Sequence, residues 1–338
     1  MKRLVVNEPG LFLRVKRGMI VVERRGEKIL EVSPSNISQV ILLTRGAALS
    51  SALLRLVARY RVDLIVYSGL GYPVARLVSS RSNGAIRLRR TQYKVQNGEV
   101  GAYLAKKFAW AKVVNQKTLL REAGKNKTDQ DLSEKLINMS KEITPLADAI
   151  NTVESKSIDD VRKEVMRLEA KAAEIYWKGF KLMLPENVDF PSRKKRFELP
   201  EDPVNILLNF CYGLLASEVW LAVSSNGFDP YVGFLHADSP RRPALVMDLM
   251  EEFRQPVVDR VVLRLISSIK NPSSILEGRR LKREYRFEAV KAFSKRLSET
   301  ITFAGRNLPF SSHIFLQARR VAEFLLGRSP QYLPFTTR

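Results

Sequence analysis

The chain has 338 residues, 45% of them apolar and 27% charged, the balance of a globular protein of about two domains. Its 57 Lys and Arg stand against 35 Asp and Glu, a net charge of +22. That excess calls for a polyanion, nucleic acid before anionic membrane, the alternative being a basic protein with no special partner. The single cysteine, Cys211, excludes an intrachain disulfide and a cysteine-built zinc cage, and within the apolar run Leu207–Leu215 it reads as a small core residue.

Glu8 and Pro9 interrupt any signal-peptide core after Lys2 and Arg3, so a cytoplasmic protein is expected. The first ~80 residues read as β-rich. Short apolar runs recur at Leu4–Val6, Leu11–Val15, Met19–Val22, Ile29–Val32 and Val40–Leu43. Turn signals separate them at Pro9-Gly10, Arg17-Gly18, Arg25-Gly26 and Ser33-Pro34-Ser35, and the spacing predicts an antiparallel sheet or a sandwich. One helix follows Ser50 or Ser51, then strands Asp63–Tyr67 and Val74–Leu77 around Gly69-Leu70-Gly71. Ser79–Asn83 reads as a linker. Arg81, Arg87, Arg89 and Arg90 near it are either a solvated surface or phosphate contacts.

Beyond residue 90 the pattern is helical: Val100–Arg121, Asp159–Leu182, Val204–Ser225, Val246–Ser268, Glu284–Ser298 and Ser312–Leu326. The Val204–Val223 stretch contains Asn205, Asn209 and Glu218, so it reads as a buried helix and no membrane span is expected. Residues 185–203 form a basic loop, and the residues from Arg328 a loose tail. The fold class is therefore α+β: a β-rich, sandwich-like domain over 1–83, a larger all-α domain over 84–330, and a tail over 331–338.

Two histidines, His236 and His313, exclude a three-imidazole zinc site. His313, near a helix start, reads as structural. His236 closes the ordered run Asp229–His236, and both a structural and a ligand role stay open. Asp248 and Glu251 share one face of the next helix, with Glu252 a neighbour. They are either a solvated edge or gathered round a cation. Glu169 falls in the apolar arc of Val161, Val165, Leu168, Ala172, Ile175, Tyr176 and Phe180. A carboxylate buried there needs a metal or an arginine. One imidazole and two carboxylates suit Mn²⁺ or Mg²⁺ better than zinc, and in so basic a chain they point to phosphodiester chemistry.

The run Asp229-Pro-Tyr-Val-Gly-Phe-Leu-His236 with Leu245-Val-Met-Asp-Leu-Met-Glu-Glu-Phe-Arg254 resembles the CRISPR-associated Cas1 adaptation proteins. So do Arg167–Trp177 and Asn205–Asn209 with Tyr212-Gly213. The resemblance covers nearly the whole chain. It implies an N-terminal β domain, a helical catalytic domain and a homodimer built through the β domains. It carries the family's metal ligands to Glu169, His236 and Glu251, and a further acidic position to Asp248. Many relatives carry Asp at the Glu251 position, and Glu252 is a lesser stand-in. The implied reaction is integration of DNA fragments into a CRISPR array, with nuclease activity on DNA, alongside a small Cas2 partner. Arg241, Arg242 and Arg254 are candidates for DNA phosphates, or else partners of nearby acids; Tyr212 matches a family tyrosine near the site, or is packing. Two other readings stay open at this point: a general DNA repair nuclease and a non-catalytic nucleic-acid-binding protein.

Overall fold

The N-terminal part is built from short strands, of which Leu11–Lys16 begins with the buried–exposed alternation of period two while Ile37–Leu42 and Asp63–Tyr67 are buried on both faces. The computed structural model describes residues 2–68, 73–77, 85–154, 158–240 and 242–337. The expected linker at 79–83, the Gly69–Gly71 turn and Arg241 lie outside these. In chain order come β1 (Lys2–Val6), β2 (Leu11–Lys16), β3 (Met19–Arg24), β4 (Glu27–Val32), β5 (Ile37–Leu42), β6 (Ala48–Leu49), α1 (Ser51–Tyr60), β7 (Asp63–Tyr67) and β8 (Pro73–Leu77).

They form two four-stranded sheets, ordered β1-β5-β7-β8 and β4-β3-β2-β6. The β2–β3–β4 meander is antiparallel, as expected. Its two turns place Arg17 and Gly18, then Arg25 and Gly26, at positive φ, the geometry that matches strand twist in two-residue hairpins. The other sheet departs from the antiparallel expectation, since β1, β5 and β7 run parallel. The chain reaches β5 only after the whole meander and β7 only after α1, and such crossover connections bring strands back in the same direction.

The two faces of the mixed sheet serve different cores. Val40, Leu42 and Leu64 pack with Leu13, Ile20 and Val22 of the second sheet and with Leu53 and Val57 of α1. The alternate residues Ile41, Ile65 and Tyr67 join the core of the helical part. Tyr67 Oη lies 2.7 Å from Ser217 Oγ, and Arg3 donates to Glu218 at 2.7 Å.

The helical part comprises α2 (Ile86–Val95), α3 (Glu99–Lys125), α4 (Gln130–Thr152), α5 (Ile158–Met183), α6 (Pro203–Ser225), α7 (Ala244–Met250), α8 (Arg260–Ser267), α9 (Arg283–Ser298) and α10 (Phe310–Leu325). It is not purely helical. Two short hairpins, β9 (Leu276–Glu277) with β10 (Arg280–Leu281) and β11 (Thr300–Phe303) with β12 (Arg306–Pro309), turn at glycines Gly278 and Gly305. Helix α4 went unforeseen; it buries Leu136, Ile143, Ala147 and Ile150 along one face between α3 and α5. Helix α6 is long and apolar enough to cross a membrane by composition, yet here it is a core helix, with Val204, Leu208, Leu215 and Val219 fully buried.

The expected continuous helix Val246–Ser268 is broken. Helix α7 ends at Met250, and a π-helical turn over Arg254–Asp259 precedes α8. Pro256 has no N–H and its ring collides with the carbonyl four residues back. That carbonyl, on Glu252, instead accepts from Asn115 Nδ2 of α3 at 2.9 Å.

The expected loose tail is docked. Tyr332 and Phe335 are buried, and Phe335 stacks on Phe253 with ring centroids 4.8 Å apart. Asn115 donates to the Phe335 carbonyl at 3.1 Å and accepts from the Thr337 N–H at 2.9 Å. Glu252 accepts from Tyr332 Oη, from Gln317 Nε2 at 2.8 Å and from the Phe335 N–H at 2.8 Å. Apolar burial and these donors outweigh the entropy of an ordered end.

Burial pushes the Glu252 carboxyl up from 4.5 to about 7, against the hydrogen bonds from Tyr332, Gln317 and Phe335. Between these values the folded chain keeps a proton that the unfolded chain releases, so stability falls as pH rises through that window. Glu252→Gln is expected to flatten this fall when denaturant unfolding is compared at pH 5 and pH 7.5. An unchanged slope would refute the assignment.

Candidate active site

A buried carboxylate organises the loop between α6 and α7. Asp248 of α7 is fully buried. Its Oδ2 accepts the Phe234 N–H at 2.5 Å and the Leu235 N–H at 3.0 Å, and its Oδ1 accepts the His236 N–H at 2.9 Å. The same Oδ1 lies 2.7 Å from His236 Nδ1. An ionised carboxylate only accepts, so Nδ1 carries the proton and Nε2 presents its lone pair outward.

Other parts of the chain hold this loop. From α2, Gln92 donates to the carbonyls of Asp229 and Val232, and Gln96 donates to that of Gly233. From α5, Arg162 donates to the Phe234 carbonyl at 2.7 Å. Gly233 passes so close to α7 that a Cβ would stand 2.6 Å from Ala244 Cβ and 2.9 Å from the His236 carbonyl oxygen. Only glycine fits that approach.

Glu251 caps the C-terminal end of α7 with 2% of its side chain exposed. Its Oε1 lies 3.9 Å from His236 Nε2. Its Oε2 meets Lys112 Nζ of α3 at 2.9 Å and Arg254 Nε at 2.8 Å. Lys112 Nζ also meets Glu169 Oε1 of α5 at 2.6 Å. The structure thus brings Glu169, His236 and Glu251 to one place, from α5, the loop and the end of α7. Burial alone would raise the Glu251 carboxyl. Arg254, then Lys112 and His236, outweigh burial and hold it at about 2, so it is an anion at any working pH. Burial would likewise lower the Lys112 ammonium, but Glu169 and Glu251 keep it above the ordinary lysine value.

Do these residues fit a metal ion? Among the described residues no group of three His, Cys, Asp or Glu side chains is closed enough to hold an ion as it stands. The donor set fits nonetheless: two carboxylates and an imidazole with a free Nε2 suit a hard divalent cation. Glu251 Oε2 is buried against two cations, and the space between the carboxylates already holds a positive charge, that of Lys112.

The remaining expected residues separate. Asp248 faces away from this space, and its oxygens are spent on the loop. It positions His236 and is not placed to touch an ion. Tyr212 does not face solvent, where DNA would lie. It is buried, and its Oη donates to Asp259 Oδ1 at 2.5 Å. Arg254 is also turned inward, paired with Glu251 and resting 4.7 Å from the centre of the Tyr212 ring. Arg242 is exposed. Glu252 holds the C-terminal segment and is no stand-in for Glu251. His313 is structural, with Nε2 donating to the Ile301 carbonyl at 2.9 Å. Cys211 is fully buried, and burial pushes its thiol up.

Several residues escaped the sequence reading. Lys112 is the chief one. It stands in the buried α3 stripe Ala105, Phe108, Asn115, Leu119, a charge inside an apolar arc, which is the signal that found Glu169. Asp259 sits beneath the site, accepting from Tyr176 and Tyr212 at 2.5 Å each. Burial pushes its carboxyl up to about 6 even so. Arg193, from the 185–203 loop, lies over the Tyr212 and Trp177 rings and donates to Asn209 at 2.7 Å.

A mixed-sheet β domain seated on a helical domain, with a Glu–His–Glu cluster at the broken end of one helix, marks a particular class of protein. The chain matches the family model of the CRISPR associated protein Cas1 over residues 4–295. It is 37% identical to the CRISPR-associated endonuclease Cas1 1 of Archaeoglobus fulgidus, over 96% of each chain. It is 34% identical to the CRISPR-associated endonuclease Cas1 of Korarchaeum cryptofilum, over 98% of this chain and 97% of that one. The chain belongs to the Cas1 family. Among solved structures it superposes on a casposase bound to integration product with a TM-score of 0.83, at 26% identity over 100% of this chain and 94% of that one. Its fold also matches the CAS1 protein TM1797 of Thermotoga maritima, with a TM-score of 0.74 at 19% identity and 100% coverage of both chains.

Asp248→Asn tests the loop. The amide offers one acceptor oxygen where the carboxylate offers two, so backbone N–H groups of 234–236 lose partners. The variant is expected to lose about 2 kcal/mol of stability and roughly 10- to 100-fold in Mn²⁺ affinity, read by denaturant unfolding and calorimetric titration. Wild-type values in both would remove Asp248 from the site.

Proposed function

We infer that this chain is a DNA endonuclease and integrase of CRISPR adaptation, joining DNA fragments to a CRISPR array by phosphodiester transesterification. One observation carries the residue-level reading. Glu169, His236 and Glu251 meet from three separate parts of the chain, with His236 Nε2 freed by the Asp248 contact at Nδ1. Family membership supports the reaction class.

The chain's own groups divide the work. Glu169, Glu251 and His236 Nε2 would hold a divalent ion, Mg²⁺ or Mn²⁺. Bound there, it would supply Lewis-acid polarisation of a phosphoryl oxygen. Asp248 holds the imidazole in the tautomer a ligand needs. Arg254, fixed against Glu251 and Tyr212, keeps Glu251 ionised and aimed. In the joining step a 3′-hydroxyl oxygen forms a new bond to phosphorus and gives its proton to solvent, while the bond to the departing strand's oxygen breaks and that oxygen takes up a proton from solvent to become a hydroxyl. The count of phosphodiester bonds is unchanged, so no nucleotide cofactor is required.

The partners follow. The charge of +22 suits duplex DNA, whose phosphates release counterions to Lys and Arg. The solved relatives of the same fold include a Cas6-RT-Cas1–Cas2 complex, TM-score 0.79 at 18% identity over 100% of this chain and 36% of that one. A Cas2 partner and a homodimer formed through the β domain belong to this proposal, as does a cytoplasmic location.

Glu169→Ala and His236→Ala are each expected to reduce joined and cleaved products at least about 100-fold in a strand-transfer assay with purified protein, labelled duplex and Mn²⁺. Wild-type product yields from both variants would sink the proposal. Cleavage without any joined product from the wild-type chain would replace integration with a repair nuclease.

A further inference from the structure

We propose that Lys112 is the resident counter-cation of this site: its ammonium holds Glu169 and Glu251 together in the metal-free protein and must leave the space between them when a divalent ion binds. The proposal rests on the metal reading above and deepens it.

Three observations carry it. The first is position. Lys112 Nζ stands 2.6 Å from Glu169 Oε1 and 2.9 Å from Glu251 Oε2, and its side chain is only 16% exposed. An ion bonded to both carboxylates lies about 2.0–2.1 Å from each oxygen. Ammonium and ion therefore claim the same space.

The second is charge. Glu169 and Glu251 contribute two negative charges, and Lys112 and Arg254 two positive ones. These four charges cancel without metal, with Asp248 paired to His236 beside them. A divalent ion added beside both cations would put further positive charge where two cations already stand, which is costly. One cation has to withdraw.

The third is freedom of movement. Arg254 is pinned, with its guanidinium against the Tyr212 ring at 4.7 Å and its Nε at Glu251. Lys112 makes its two ion pairs through its ammonium alone, at the end of an unbranched four-carbon stem with more rotamers open to it than the stacked guanidinium has. Lysine is the group that yields. A lysine so placed acts in two directions at once. It stabilises the metal-free enzyme by relieving the repulsion of two adjacent carboxylates, and it weakens metal binding by competing for them. It is a positioning residue of the site, not a catalytic one.

The experiment uses the full chain, with Mn²⁺ alone as the probe. Calorimetric titration gives the affinity, and denaturant unfolding in EDTA gives the stability of the metal-free state. Lys112→Met is expected to bind Mn²⁺ more tightly by on the order of tenfold, within the coupling that contacting charged groups show. Its metal-free unfolding midpoint should fall, and saturating Mn²⁺ should raise that midpoint by more than in the wild type. Adding Glu169→Gln to Lys112→Met removes one of the repelling charges and should restore the metal-free midpoint, which a mere packing defect would not do. Lys112→Gln serves if the methionine variant does not fold. Equal or weaker Mn²⁺ binding by the variant, with measurable binding by the wild type, overturns the role of Lys112 and leaves the metal site standing. Absence of Mn²⁺ binding by wild type and variant alike overturns both.

Discussion

A carboxylate withdrawn from water needs a compensating charge or several donors, or its cost runs to several kcal/mol. This chain meets that constraint four times within a short stretch. Asp248, Glu251, Glu252 and Asp259 are all buried to 2% exposure or less. They do not compete, because α7 ends at Met250 and a π-helical turn follows, so successive acids point in different directions. Each one binds a different part of the molecule: Asp248 the 234–236 backbone, Glu251 the cations of α3 and Arg254, Glu252 the C-terminal segment, Asp259 the tyrosines of α5 and α6. Much of the tertiary structure of the helical domain converges on this one stretch.

Two of those acids show how position outranks identity. Glu251 and Glu252 are neighbours of the same chemistry, both fully enclosed. Cations surround the first and hold its carboxyl at about 2. Apolar surroundings and neutral donors surround the second and push it up to about 7. One is a permanent anion suited to a cation; the other is a structural acceptor for Tyr332, Gln317 and Phe335. A one-residue step in the turn after α7 decides which is which.

The legibility of the sequence follows the same line. Local patterns were readable. Arg17-Gly18 and Arg25-Gly26 marked their hairpins, short apolar runs between turn signals marked the strands, and the apolar arc around Glu169 marked a carboxylate needing a partner. Non-local consequences were not. Parallel pairing of β1, β5 and β7 depends on crossovers that no single segment encodes. The break after Met250 depends on Pro256 acting at a distance of four residues, with Asn115 of another helix accommodating it. Lys112 gave a usable signal, a charge in a buried stripe, but its partners lie far off in sequence. For Tyr212 and Arg254 the sequence left two roles open each, DNA contact or an inward one, because spacing does not say which side of an apolar helix faces the core; the structure turns both inward. Prolines and polar residues made the C-terminal segment look loose, while Tyr332 and Phe335 were the anchors.

The docking of that segment has a kinetic side. Asn115 and Thr337 are 222 residues apart, and Glu252 and Phe335 are 83 apart. Closing loops of that length is entropically expensive and slow compared with forming a helix or a hairpin. The contacts that brace the backbone beside Glu251 are therefore non-local ones, made only when the C-terminal segment reaches α3 and the turn after α7. A partly folded chain, with its helices formed and its final segment still unattached, would carry the ligand residues without the framework that aims them. Assembly of the centre is tied in this way to completion of the fold.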